Sequence, residues 1–229
     1  MKNDAGKVHV FKMATNETIA SFEYKPGVDR MLILDEIRLL YGNAFREFDL
    51  IDTKTGTKKP GLSLKADLTI WTLSAQKEHI AVGGLDGTLA LFDANSLKTL
   101  WTAKEHFLAI SNLAFSTDGK FLVTASADDT AIVWDVKSGK MISRLEGHAQ
   151  DVVASDFLPG NKRVVTASSD KTIRLWDVTT GVELTTVGLI GANPTFCSIS
   201  KDQKYIIAGT ETGLLKAWPL AGGVSKSPY

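Results

Sequence analysis

The sequence is poor in most of the features that would fix its class at once. It has one cysteine, Cys197, among 229 residues, so no internal disulfide can hold the fold. A chain of this length with 44% hydrophobic residues buries roughly 70% of its unfolded surface without such help. Cys197 stands in Thr-Phe-Cys-Ser-Ile, where a small buried strand residue is a better reading than a reactive thiol. Excess charge of either sign is absent, since Lys plus Arg and Asp plus Glu both total 26. That balance lacks the basic footprint of a nucleic-acid binder, so no nucleic-acid partner is expected. No apolar run approaches the length of a membrane span, and the opening Met-Lys-Asn-Asp-Ala-Gly has no apolar signal core. The expectation is a cytoplasmic chain with no membrane contact. Of the four histidines, His9 and His79 have no ligand at metal-binding spacing, so neither metal nor cofactor is expected. A convincing helical period is also missing. Met31 to Leu40 is the one ambiguous stretch, and it reads as two strands joined at Asp35-Glu36.

What the chain does have is a repeat. Phe92, Trp134, Trp176 and Trp218 follow one another at intervals of 42 residues. A fixed period of this size marks one supersecondary unit copied along the chain, each copy burying its apolar face on the next. Residues 113–135 run Leu-Ala-Phe-Ser-Thr-Asp-Gly-Lys-Phe-Leu-Val-Thr-Ala-Ser-Ala-Asp-Asp-Thr-Ala-Ile-Val-Trp-Asp. Residues 164–177 run Val-Val-Thr-Ala-Ser-Ser-Asp-Lys-Thr-Ile-Arg-Leu-Trp-Asp. Short apolar or alternating runs separated by Thr117-Asp118-Gly119, Asp128-Asp129 and Ser138-Gly139 read as strands and turns, four to a unit. His106 and His148 precede the first apolar run of the two best copies.

These residues resemble the tryptophan-aspartate (WD) repeat family, whose units carry a Gly-His near one end and Trp-Asp at the other. The resemblance implies an all-β propeller of four-stranded antiparallel blades. It covers residues 7–220, strongly in two units and loosely elsewhere. The unit ending at Phe92 keeps the turn Gly84-Leu85-Asp86-Gly87 but has no His at its start, and the last unit has Thr212 and Pro219 where two acids would stand. Phe48-Asp49 and Phe11 are read as closing two weaker units. The expected organisation is a partial unit at 7–24, blades at about 28–64, 68–104, 110–146 and 152–188, a partial blade at 195–219, and a flexible tail at 221–229. This makes 21 strands, one more than five blades require. Glu17 to Tyr24 is the candidate outermost strand of the last blade. A closed five-bladed ring and an open arc both remain, with the arc favoured because the first unit begins in mid-blade. An arc implies a homo-oligomer or a strand-completing partner.

The resemblance also assigns the polar residues. His106, Ser126, Asp128 and Trp134, and then His148, Ser168, Asp170 and Trp176, would meet at one blade edge as mutually satisfied hydrogen-bond networks. A serine-hydrolase reading of Ser, His and Asp fails because the set recurs at the repeat period and a nucleophile must be exposed beside an oxyanion site. Gly83 to Gly87 precedes a strand and lacks a Lys-Ser/Thr partner, so it reads as a turn instead of a phosphate cradle. Asp4, Asp86, Asp128 and Asp170 are read as turn acids without calcium-ligand spacing. The face that commonly receives protein partners in this family would carry Phe107, Leu108, Asp129, Gln150, Asp151, Lys171 and Asn193. Phe107 and Leu108 are either exposed anchors or tucked under the blade. The function implied is a non-catalytic protein-interaction scaffold. The alternative is an enzyme or ligand-binding propeller that uses its central channel. The apolar or weakly polar starts of the innermost strands, such as Ile110-Ser111-Asn112 and Val152-Val153-Ala154, favour binding.

Overall fold

Turn chemistry punctuates this chain about every ten residues, and the computed structural model answers it with strands throughout. It describes residues 7–12, 17–23, 28–35, 38–43, 47–52, 54–55, 57–63, 68–188, 192–200, 202 and 204–219. A first hairpin is made by β1 (Lys7–Lys12) and β2 (Glu17–Glu23). The next sheet comprises β3 (Val28–Ile33), β4 (Arg38–Asn43), β5 (Glu47–Asp52) and β6 (Lys58–Ser63). It is followed by the sheet of β7 (Leu68–Leu73), β8 (His79–Gly84), β9 (Leu89–Asp93) and β10 (Thr99–Ala103). Two more four-stranded sheets are β11 (Ile110–Phe115), β12 (Phe121–Ser126), β13 (Ala131–Asp135), β14 (Met141–Leu145) and then β15 (Val152–Phe157), β16 (Arg163–Ser168), β17 (Thr172–Asp177), β18 (Glu183–Gly188). The last sheet has three strands, β19 (Pro194–Ile199), β20 (Tyr205–Thr210) and β21 (Leu215–Pro219). Met31 to Leu40 does divide into two strands, and the described strands number 21.

The sheets are antiparallel meanders stacked face to face, and the core is divided among their interfaces. Val123, Val133 and Leu145 of one sheet pack on Val152, Val164 and Trp176 of the next. Ala154, Val165, Ile173 and Leu175 then pack on Cys197, Ile206 and Ala208. Both faces of a central blade are therefore buried, which is why β12, β13 and β16 read as near-continuous apolar runs. Period-42 hydrogen bonds tie the stack: Trp101 Nε1–H donates to the Val136 carbonyl at 2.8 Å, and Ser143 Oγ–H to the Val178 carbonyl at 2.6 Å. The turn between third and outermost strands has glycine for two reasons. Gly139 and Gly181 lie at φ 69° and 71°, and a Cβ there would stand 2.8 Å from the Trp101 ring and the Arg144 carbonyl oxygen respectively.

Two sequence expectations are corrected. The second weak unit closes at Ile51-Asp52 instead of Phe48-Asp49: Ile51 pairs with Leu39 as Trp134 pairs with Leu122, and Asp52 accepts from the backbone N–H of Lys54 and Thr55. Strand β2 does not complete the last blade. It pairs with β1, the neighbour that the shorter loop brings to it, while among the described residues β21 pairs only with β20. Tyr24, Asp4 and the tail 221–229 lie outside the described residues.

Candidate functional site

Two copies of one polar network sit at the same edge of neighbouring blades, each assembled from three strands or turns. Within β12 and β13, Leu122 faces Trp134 and Thr124 faces Ile132, so Thr124 is the next residue along the face that carries the indole. Trp134 Nε1–H donates to Thr124 Oγ1 at 3.0 Å, Thr124 Oγ1 meets His106 Nε2 at 2.7 Å, and His106 Nδ1 meets Asp128 Oδ2 at 2.9 Å. The second copy repeats this to within 0.3 Å. Trp176 Nε1–H donates to Thr166 Oγ1 at 2.7 Å, Thr166 meets His148 Nε2 at 2.7 Å, and His148 Nδ1 meets Asp170 Oδ2 at 2.8 Å. A neutral imidazole with its proton on Nδ1 satisfies every atom in one direction, from indole to hydroxyl to imidazole to carboxylate.

The linking hydroxyl is thus Thr124 or Thr166, a residue the sequence reading passed over in favour of Ser126 and Ser168. Those serines have another task. Ser126 Oγ–H donates to the Leu108 carbonyl at 3.2 Å and accepts the Asp128 N–H, while Ser168 does the same for the Gln150 carbonyl at 2.8 Å and the Asp170 N–H. The hydroxyl threonine ten residues before each Trp was the sequence signal that could have identified the link.

Environment sets the charges. Burial pushes the Asp170 carboxyl up, but hydrogen bonds from Thr172, His148 and the Ala149 N–H outweigh it and hold the group at about 2. Asp128 is likewise raised by burial and, through His106, Thr130 and the Phe107 N–H, held far below the usual carboxylate range. Burial also lowers His148 despite its carboxylate partner, which agrees with a neutral ring. In the unit that lacks a histidine before its innermost strand, Lys104 Nζ pairs with Asp86 Oδ2 at 2.8 Å and holds Asp86 at about 2.

These networks position a surface. The Phe107 N–H donates to Asp128 Oδ2 at 3.0 Å while Ser126 holds the Leu108 carbonyl, so the backbone of the pair is clamped from both sides. Their side chains project outward: Phe107 is 83% exposed and Leu108 53%. Leu85, absent from the sequence-based set, is also exposed in the adjoining β8–β9 turn, where a Cβ on Gly87 would run into the His106 carbonyl oxygen. Gln150, Asp151 and Lys171 are exposed on equivalent loops of the next blade, Asp129 is half-buried, and Asn193 is half-buried with its carbonyl accepting the Glu211 N–H. Asp129 and Lys171 adopt φ 67° and 69°, turning the second-to-third strand loops outward. Ser126 and Ser168 are fully buried, and Cys197 is buried with its thiol pushed up by burial. A fluorophosphonate probe is therefore expected to leave both serines unlabelled in the native protein; labelling of either by mass spectrometry would refute the structural role given to them here.

Stacked four-stranded meanders with a networked blade edge define a β-propeller. The class is reinforced by the computationally designed Ika8 protein, whose crystal structure in P63 aligns with TM-score 0.81 at 21% identity over 95% of this chain and 66% of that one. This chain thus spans about two thirds of the length of that design, and the likeness is one of fold. Residues 97–135 and 139–177 match the family model "WD domain, G-beta repeat". Two units of this propeller are thus similar to the WD repeat, and each matched unit runs from the outermost strand of one blade through three strands of the next. No curated protein matches the sequence.

Proposed function

We propose that this chain is a non-catalytic scaffold that receives a protein partner on the face formed by Leu85, Phe107 and Leu108, with Asp129, Gln150, Asp151, Lys171 and Asn193 extending it. WD repeats and propellers generally mediate protein interactions. The observation that carries the reading here is the combination of an exposed aromatic-aliphatic pair with a backbone fixed by buried hydrogen bonds. A rigid apolar anchor loses little conformational entropy on binding and contributes disproportionately to interface energy. The even charge balance argues against nucleic acid as the partner. A cytoplasmic location is part of the same reading, supported by the burial of Cys197 as a free thiol.

Phe107→Ala and Leu108→Ala test the site. Both side chains project into solvent, so each variant is expected to melt like the wild type. Each is expected to weaken the principal protein contact by about tenfold or more, the effect of losing an anchor worth ~1.4 kcal/mol or above. Affinity capture with wild-type and variant baits, followed by titration of the retained partner, reads this out; full affinity in both variants overturns the assignment.

A further inference from the structure

The even charge of the whole chain conceals a local excess of acid around Phe107 and Leu108. Glu105 comes just before the pair, and Glu146 opens the equivalent loop one blade on. Arg144 lies 3.8 Å from a carboxylate oxygen of each, so one guanidinium serves two acids. Asp129 lies in the β12–β13 turn, which is tied to the pair where the Ala127 N–H donates to the Ala109 carbonyl at 2.9 Å. Asp151 is exposed where the next loop enters β15, and Val152 beside it shares a core with Ala125 and Ala131, the residues on either side of the same turn. The carboxylates of Asp129 and Asp151 have no hydrogen-bond or ion-pair partner among the described residues.

Other turn acids of this fold are occupied. At the opposite end of the blades Asp93, Asp135 and Asp177 accept from backbone and hydroxyl groups of their own turns, while Asp128 and Asp170 are held by the histidines. No such turn or network uses Asp129 or Asp151, so their charges stand free beside an exposed apolar anchor. Neighbouring cations do not cancel them. Lys104 is taken by Asp86 at 2.8 Å, and Lys171 stands in the β16–β17 turn, one blade farther from Phe107.

We propose that the partner docks on this face through a basic, apolar segment, its Lys or Arg side chains pairing with Asp129 and Asp151 while an apolar side chain packs on Phe107 and Leu108. This assignment rests on the docking face proposed above and identifies its occupant by charge complementarity. The apolar contact supplies most of the affinity, and the carboxylates set which segments are accepted. An acidic segment would bring like charges together, whereas a basic one gains attraction at the rim and a faster encounter.

Selection from a random peptide library displayed on phage, with the wild type and Phe107→Ala as parallel baits, tests this. Peptides retained by the wild type and lost on Phe107→Ala are expected to be enriched in Lys and Arg beside Leu, Ile, Phe or Trp. When one such peptide is titrated by fluorescence anisotropy, Asp129→Asn or Asp151→Asn should weaken it by about two- to fivefold, the effect of one exposed ion pair. Both substitutions together should also flatten the loss of affinity with rising salt. Lys171→Ser removes a cation from the same face and is expected to keep or raise affinity. Asparagine is close in shape to aspartate and tolerates the φ of 67° at residue 129, so melting curves should match the wild type. Phe107-dependent peptides with no excess of Lys and Arg, or full affinity in the double Asn variant, overturn the basic segment and leave the docking face standing. A selection that yields no Phe107-dependent peptide overturns both.

Discussion

Thr166→Val is expected to destabilise the protein by about 2–4 kcal/mol, more than removal of either serine hydroxyl from these networks. Valine reproduces the shape of threonine, so packing around the fully buried Thr166 is kept and only the hydroxyl is lost. Two buried partners are then left unsatisfied, the Trp176 indole N–H and His148 Nε2. Each such orphan costs about 1–3 kcal/mol. For a domain of this size the melting temperature should fall by roughly 5–15 °C. Ser168→Ala is the internal comparison, since that hydroxyl bonds only to the Gln150 carbonyl and the Asp170 N–H, both close to solvent. Its cost should be about 1 kcal/mol. Equal melting temperatures for the two variants would show that threonine is not the hub of the network.

Acid should weaken the fold in two stages. Burial lowers His148 from its ordinary 6.5, so the neutral ring is favoured in the folded state; this contribution is complete above about pH 6.5 and is lost as pH falls below it. Asp170, held at about 2 against an ordinary 3.8, contributes stability that is complete above about pH 4 and lost as pH falls through about 2. Asp86 behaves in the same way, and Asp128 is shifted further in the same direction. Urea midpoints should therefore be flat above neutrality, drop modestly by pH 5 and drop steeply by pH 3. Asp170→Asn should be less stable at pH 7 and lose less between pH 5 and pH 3. A midpoint that rises between pH 7 and pH 5 would contradict the neutral imidazole. At the alkaline end burial raises the Cys197 thiol above 9.0, so its contribution is present below that pH and lost as pH rises past it.

The strand plan was legible because the period is strict where turns and aromatics recur together: Trp134, Trp176 and Trp218 each close a third strand, and the residues between them parse into runs bounded by Gly and Asp. It failed where one aromatic was allowed to stand for that pattern. Phe48 lies on the face toward the following blade, while the position equivalent to Trp134 is Ile51, recognisable by the turn that Asp52 holds after it. The threonine hub was missed for a geometric reason. Thr124 and Ser126 point to the same side of β12, and nearness in sequence to Asp128 favours the serine; the indole, opposite Leu122, reaches only the next residue on its face. Leu85 was invisible because its closeness to the His106 loop arises between blades, 21 residues away in sequence.

The clamp on the loop after each histidine holds main-chain atoms alone. Asp128 takes the N–H of Phe107 and Asp170 the N–H of Ala149; Ser126 takes the carbonyl of Leu108 and Ser168 that of Gln150. Nothing in this arrangement reads the side chain. The same mounting already displays a phenylalanine in one blade and an alanine in the next, a bulky aromatic ring in one case and a single methyl in the other. Specificity can thus drift one blade at a time at little cost to stability, and an Ala149→Phe substitution should raise a second anchor beside the first without repacking the core beneath it.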